Sequence, residues 1–182
     1  GCYRLLVLYA LVACFTAMSC GKTEEAPAEP KPVVLVTEDG RWNFPEAFLM
    51  GTAIAGFQSE MGCPTMPAEE CEDRGSDWYQ FITSEETLTS DIAYLAGDPP
   101  SAGPGYWELY DEDHARAATE LKNNAIRLSI EWSRIFPNAT DDAETPEAIA
   151  AMADPKAVAH YHAIFDSLKK HGLTPLVTLN HY

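Results

Sequence analysis

Apolar and polar residues alternate along IRLSIEWSRIFP, residues 126–137. Ile126, Leu128, Ile130 and Trp132 fall on one side; Arg127, Ser129, Glu131 and Ser133 fall on the other. Strand side chains alternate between faces with a period of two, so the pattern predicts a strand with one apolar and one polar face, ended by Pro137. Helical periods flank it. Between Tyr106 and Asn124, the residues Trp107, Tyr110, Ala117, Ala118 and Leu121 recur at spacings of three, four and seven, with Glu108, Asp111, Glu112 and Lys122 on other faces. A second helix is predicted from Pro155 to His171. Asp154 is a good N-cap, Pro155 suits the first helical position, and Lys169, Lys170 and His171 complement the dipole before Gly172. Its buried stripe is Val158, Tyr161, Ile164, Phe165 and Leu168.

Two further apolar runs read as strands, AFLMGTAIAGF (47–57) and TPLVTLNHY (174–182). A long irregular stretch follows the first and ends in GDPPSAGPG, where Pro and Gly stop any element. The stretch NATDDAETPEAIAAMAD reads as an acidic, Ala-rich loop with one helical turn. The order is strand, helix, strand, helix, strand, and each helix is long enough to cross between parallel strands. Strands of such a fold are covered by helices, so the polar face of 126–133 points to a ligand site rather than to water. An α/β fold of the eight-stranded β/α (TIM) barrel type follows, with three strands and two helices in this chain. The alternative is an open doubly wound sheet, though no Gly-rich nucleotide loop accompanies it. Active sites of barrels sit at the carboxyl ends of the strands. Here those ends carry Gln58 with Glu60, Glu131 with Arg134, and Asn180 with His181.

The amino end changes the picture of where the domain works. Arg4 precedes an apolar run from Leu5 to Met18, too short for a comfortable membrane span and right for a signal peptide. It ends in Ala17-Met18-Ser19-Cys20, which resembles a bacterial lipobox and makes Cys20 the expected lipidation site. A plain secretory signal and an uncleaved anchor are the alternatives. The leader is expected over residues 1–20, and a disordered tether over 21–42, whose GKTEEAPAEPKP is Pro-, Ala- and Glu-rich. Export implies an oxidising compartment. Cys63 and Cys71 are therefore a candidate disulfide, worth roughly 2–3 kcal/mol for a short loop; two free thiols are the alternative. A zinc site would need more ligands than this loop supplies. The formal charge of −16 over 182 residues excludes a basic nucleic-acid footprint.

Three segments carry a family resemblance: FPEAFLMGTAIAGFQSE, GPGYWELYDEDHARAATELKNNAIRLSIEWSRIFP and YHAIFDSLKKHGLTPLVTLNHY. Over residues 43–182, in order and spacing, they resemble glycoside hydrolase family 1. AGFQSEMG, SDWY and GDPPSAGPGYW are most similar to its archaeal-type β-glycosidases. The resemblance implies hydrolysis of β-glycosides with retention by two glutamates, neither of which falls in this chain. It implies sugar-hydroxyl ligands at Gln58 and His181, an aromatic sugar contact at Tyr182 where the family usually has Trp, and an Arg127 that holds the nucleophile carboxylate ionised. A structural ion pair of Arg127 with Glu131 is the alternative. Glu60, Asp77 and Glu131 read as supporting residues, and His160 and His162, two apart on a helix, as non-ligands. No metal or cofactor is implied. The expected partners are small β-glycosides or oligosaccharides and, through a lipid anchor only, a membrane; the oligomeric state is unreadable. The alternatives to a β-glucosidase-like enzyme are a carbohydrate-binding lipoprotein and a 6-phospho-β-glycosidase. Three strands cannot close a barrel of eight, so this polypeptide by itself is expected to be inactive and prone to aggregate.

Overall fold

The computed structural model describes Val36, residues 39–91 and residues 93–181. The leader, Cys20, most of the expected tether and Tyr182 lie outside the described residues. A first unit ends at Glu46. Within it, Val36 and Trp42 form an isolated antiparallel bridge around a turn at Asp39 and Gly40, and Trp42 stacks on Phe44.

The second unit begins at Ala47. Its elements are β1 (Gly51–Ala53), α1 (Gly56–Glu60), α2 (Ala68–Cys71), α3 (Asp77–Thr83), α4 (Glu85–Leu88), a 3-10 turn (Pro100–Ala102), α5 (Tyr106–Thr119), β2 (Ala125–Ser129), α6 (Trp132–Ile135), α7 (Pro146–Ala151), α8 (Pro155–Lys170) and β3 (Thr174–Thr178). The strands pair in parallel in the order β1-β2-β3, with Ala53 opposite Arg127 and Arg127 opposite Leu176. Parallel pairing requires a crossover, and α5 and α8 are the long helices that make it.

The core lies between the sheet and these two helices. Ile126 and Leu128 of β2 are buried against Tyr106, Trp107 and Ala117 of α5 and Tyr161, Ile164 and Leu168 of α8. Arg127, between them in sequence, points to the other face and is exposed. The alternation read from the sequence is thus present through Ser129. α8 begins as expected: the Asp154 carboxylate accepts from the N–H groups of Lys156 and Ala157 at 2.7 and 3.2 Å. It ends before Gly172, whose φ of +71° takes the left-handed turn that a Cβ would oppose.

The structure corrects four boundaries. The strand expected over 126–137 ends at Ser129; Glu131 starts a helical turn, so side chains beyond it no longer alternate, and Trp132 is 55% exposed instead of facing the helices. The run 47–57 contributes only three residues to the sheet, because the Gly56 N–H turns to the Ser129 hydroxyl and opens α1. The helix expected to reach Asn124 stops at Thr119, leaving Leu121 62% exposed. Here the Asn124 amide accepts from the Met50 N–H at 2.7 Å and donates to the Phe48 carbonyl at 2.8 Å, which ties the chain to the start of β1. The long stretch expected to be irregular holds α2, α3 and α4, the latter two capped by the hydroxyls of Ser76 and Ser84.

Candidate active-site face

The loops after β1, β2 and β3 bring the polar strand ends to one edge of the sheet. Gln58 sits exposed in the middle of α1 and lines an open cleft of about 540 Å³ with Phe57, Trp78 and Asp98. His181 lines a smaller cleft of about 230 Å³ with Asp77, Trp78, Glu131, Trp132 and Asn180. Trp78 is common to both. In the sequence Trp78 stands out only within SDWY, as a Trp two residues after a capping Ser in a Gly-containing loop. Arg127 borders neither cleft. On the exposed face of β2, its Nε donates to the Thr178 hydroxyl at 2.8 Å. No ion pair between Arg127 and Glu131 occurs among the described residues.

α1 is too short to hold itself, since a five-residue helix has no stable nucleus. It is gripped at both ends. At its start, the Gly56 N–H donates to the Ser129 hydroxyl at 2.6 Å. The Glu131 carboxylate packs on Gly56 so closely that a Cβ there would lie 2.3 Å from its oxygen. At its end, Glu60 is buried and takes an Nε–Oε2 ion pair from Arg134 at 2.6 Å and a hydrogen bond from the Tyr161 hydroxyl at 3.0 Å. Arg134 also donates to the Cys71 carbonyl at 2.7 Å and lies 3.9 Å from the centre of the Trp107 ring. His160 stacks on the same ring at 3.8 Å, while His162 is exposed. Cys63 and Cys71 form a disulfide with 5.9 Å between their Cα atoms, which closes the loop between α1 and α2.

Burial outweighs these partners in the electrostatics of Glu60. Desolvation pushes its carboxyl up to about 7 against the pull of Arg134 and Tyr161. Glu131 is also raised, first by burial and then by Asp73, against a hydrogen bond from the Phe57 N–H and the charges of Arg134 and His181. Tyr161 is raised, chiefly by burial. Both carboxylates are turned to contacts that hold α1: Glu60 toward Arg134 and Tyr161, and Glu131 toward the Gly56–Phe57 turn. Asp77, in the first turn of α3, is exposed at the mouth of the smaller cleft.

Among the described residues, no group of three or more His, Cys, Asp and Glu side chains is placed to hold a metal ion, and no helix is long and apolar enough to cross a membrane. The arrangement offers an amide, an imidazole and an indole around one concave edge, which suits a neutral polyhydroxylated ligand.

The family model for glycosyl hydrolase family 1 matches residues 41–182. A β-galactosidase of Sulfolobus acidocaldarius is 32% identical over 160 residues, covering 77% of this chain and 31% of that protein. A 6-phospho-β-galactosidase of Lacticaseibacillus rhamnosus is 33% identical over 143 residues, covering 78% of this chain and 24% of that protein. The crystal structure of the β-glycosidase of Thermosphaera aggregans superposes with a TM-score of 0.67 at 31% identity, over 76% of this chain and 31% of that one. The chain thus spans between about a quarter and a third of the length of these relatives. Its three parallel strands are part of a β/α barrel, which removes the open doubly wound sheet from consideration.

Proposed function

The chain belongs to glycosyl hydrolase family 1, and on that premise we propose that it is the amino-terminal part of a retaining β-glycosidase acting on β-linked glycosides or oligosaccharides. The observation that carries this reading is that Gln58, just after β1, and His181, just after β3, line two clefts that share Trp78 beyond the carboxyl ends of the parallel strands, where barrels build their sites. Retaining hydrolysis uses two carboxyl groups about 5–5.5 Å apart. In this reading both come from later strands, and the residues present here grip the sugar. The Gln58 amide donates to one hydroxyl and accepts from another, and His181 binds a further hydroxyl. Tyr182, the next residue in sequence, is the proposed aromatic contact to the sugar. Arg127 keeps the nucleophile ionised by its fixed charge. Carboxylates suffice for this chemistry, so no cofactor is assigned.

The test is turnover of aryl β-glucoside, β-galactoside and their 6-phosphates by the full-length protein. Hydrolysis of the plain glycosides is expected. Hydrolysis of the 6-phosphates alone would favour the chemistry named for the Lacticaseibacillus relative, and binding without turnover would favour a carbohydrate-binding protein. Replacing Gln58 by Ala should lower kcat/KM by roughly 100-fold or more, because hydroxyl contacts that strengthen in the transition state supply several kcal/mol. An unchanged kcat/KM would remove Gln58 from the site.

The leader expected over residues 1–20 supports a proposed location in the cell envelope with lipid on Cys20. Mass spectrometry of the mature protein should find a lipid-modified Cys20 at the amino end; an unmodified end well beyond it would overturn the anchor.

A further inference from the structure

β2 and its extension use their polar face for more than the site's lining. Ser129 and Glu131, two residues apart, both reach the start of α1, at Gly56 and Phe57. Glu131 also lines the cleft that holds His181, together with Asp77 and Trp78. Its own backbone is fixed, since its N–H donates to the Tyr161 hydroxyl at 2.9 Å. The charged and titratable groups that act on its carboxylate are Asp73, Arg134, His181 and, through the shared anchor, Glu60. Gly56 completes the contact: no larger residue fits between α1 and the carboxylate.

We propose that Glu131 is a positioning residue that aligns the sugar ligand Gln58, holding, from the wall of the cleft that also holds His181, the α1 turn that carries it. The proposal rests on the glycosidase reading but assigns Glu131 a role of its own. The carboxylate neither attacks nor protonates the substrate. It acts through α1, where Ser129 and the Glu60 anchor fix the two ends of the helix and Glu131 bears on the Gly56–Phe57 turn next to Gln58. A misplacement of about 1 Å in such a group can cost about 100-fold in rate.

The experiment uses the full-length protein and the variants Glu131→Ala, Glu131→Gln, Gln58→Ala and the Gln58→Ala/Glu131→Ala pair. Glu131→Ala should lower kcat/KM by about 10- to 100-fold. Glu131→Gln keeps an acceptor for the Phe57 N–H and should stay within about fivefold of the parent. The double variant should be no worse than Gln58→Ala by more than about twofold, because a residue that acts through Gln58 has nothing left to align. Amide hydrogen exchange, read in parallel, should accelerate over residues 56–60 in Glu131→Ala and not in Glu131→Gln. Wild-type turnover tests the glycosidase reading separately. Additive losses in the double variant, or unchanged exchange over residues 56–60 in Glu131→Ala, would overturn the role of Glu131.

Discussion

Two buried polar centres share α8 and sit about two turns apart on it. At the Tyr161 level, Glu60, Arg134 and Tyr161 form a charged centre that holds α1, α2 and α6. At the Ser167 level, His114 is fully buried between the Tyr106 hydroxyl at 2.8 Å and the Ser167 hydroxyl at 2.9 Å. The Ser167 hydroxyl donates a hydrogen bond to Asp111 at 2.7 Å, and Lys170 and His171 meet Asp111 at the surface. Six residues of helix separate the two levels by roughly 9 Å. Because α8 runs back against the strands, Tyr161 lies toward their carboxyl ends and Ser167 toward their amino ends. The comparison therefore falls along the axis that divides function from stability in a β/α barrel. The charged centre fixes loops that carry candidate sugar ligands; the neutral one fastens one helix to another.

Charge makes the first centre the more fragile. Glu60 is 1% exposed and Arg134 7%, so removing one partner strands the other without water. At pH 8, where Glu60 is ionised in the folded protein, Arg134→Met in the full-length protein should cost about 3–5 kcal/mol, whereas Glu60→Leu with Arg134→Met should recover much of that loss. Chemical denaturation monitored by tryptophan fluorescence checks this. A double variant no more stable than Arg134→Met would mean that the arginine acts through the Cys71 carbonyl and the Trp107 ring instead. Turnover should not recover with stability in the double variant, because α1 and α2 lose their common anchor.

The two levels were unequally legible in the sequence. α8 was readable end to end, because Asp154, Pro155 and Gly172 punctuate it and its apolar stripe keeps the helical period. The same stripe placed Tyr161 in the core without revealing that its hydroxyl would serve Glu60 and the Glu131 amide. β2 was readable only as far as alternation held. A four-residue turn such as α6 has too few positions to show a period, so alternation puts Trp132 on the wrong side and gives no sign of the partner of Arg134, 74 residues away. Leu121 failed for a related reason: side-chain bonds from Asn123 and Asn124 to the β1 strand and its lead-in overrode a continuing helical pattern. Gln58 and His181 carried no signal of their own in periodicity or spacing. They emerged from the family pattern, and the fold then put both beside Trp78.

The smaller effect lies in how the two centres respond to pH, and here they oppose each other. Burial pushes Glu60 up to about 7 from an ordinary 4.5, so between those values the folded state keeps a proton that the unfolded chain releases. Its contribution is fully present below 4.5 and is lost as pH rises through 7. Burial pulls His114 down to about 4 from an ordinary 6.5, with His171 lowering it further and Asp111 opposing. Its contribution is present above 6.5 and is lost as pH falls through 4. Between about pH 4.5 and 6.5 the two slopes have opposite sign, each of order 1 kcal/mol per pH unit. Asp111, held low by Lys170 and Ser167, acts only below this window. Glu60→Gln should therefore make unfolding free energy climb with pH more steeply than in the parent over that window, and His114→Gln should make it climb less steeply or fall. Denaturant titrations at pH 4.5, 5.5 and 6.5 read both slopes. Parallel profiles for parent and Glu60→Gln would mean that the Arg134 pair keeps Glu60 ionised throughout, so that charge rather than desolvation governs the centre beneath the site.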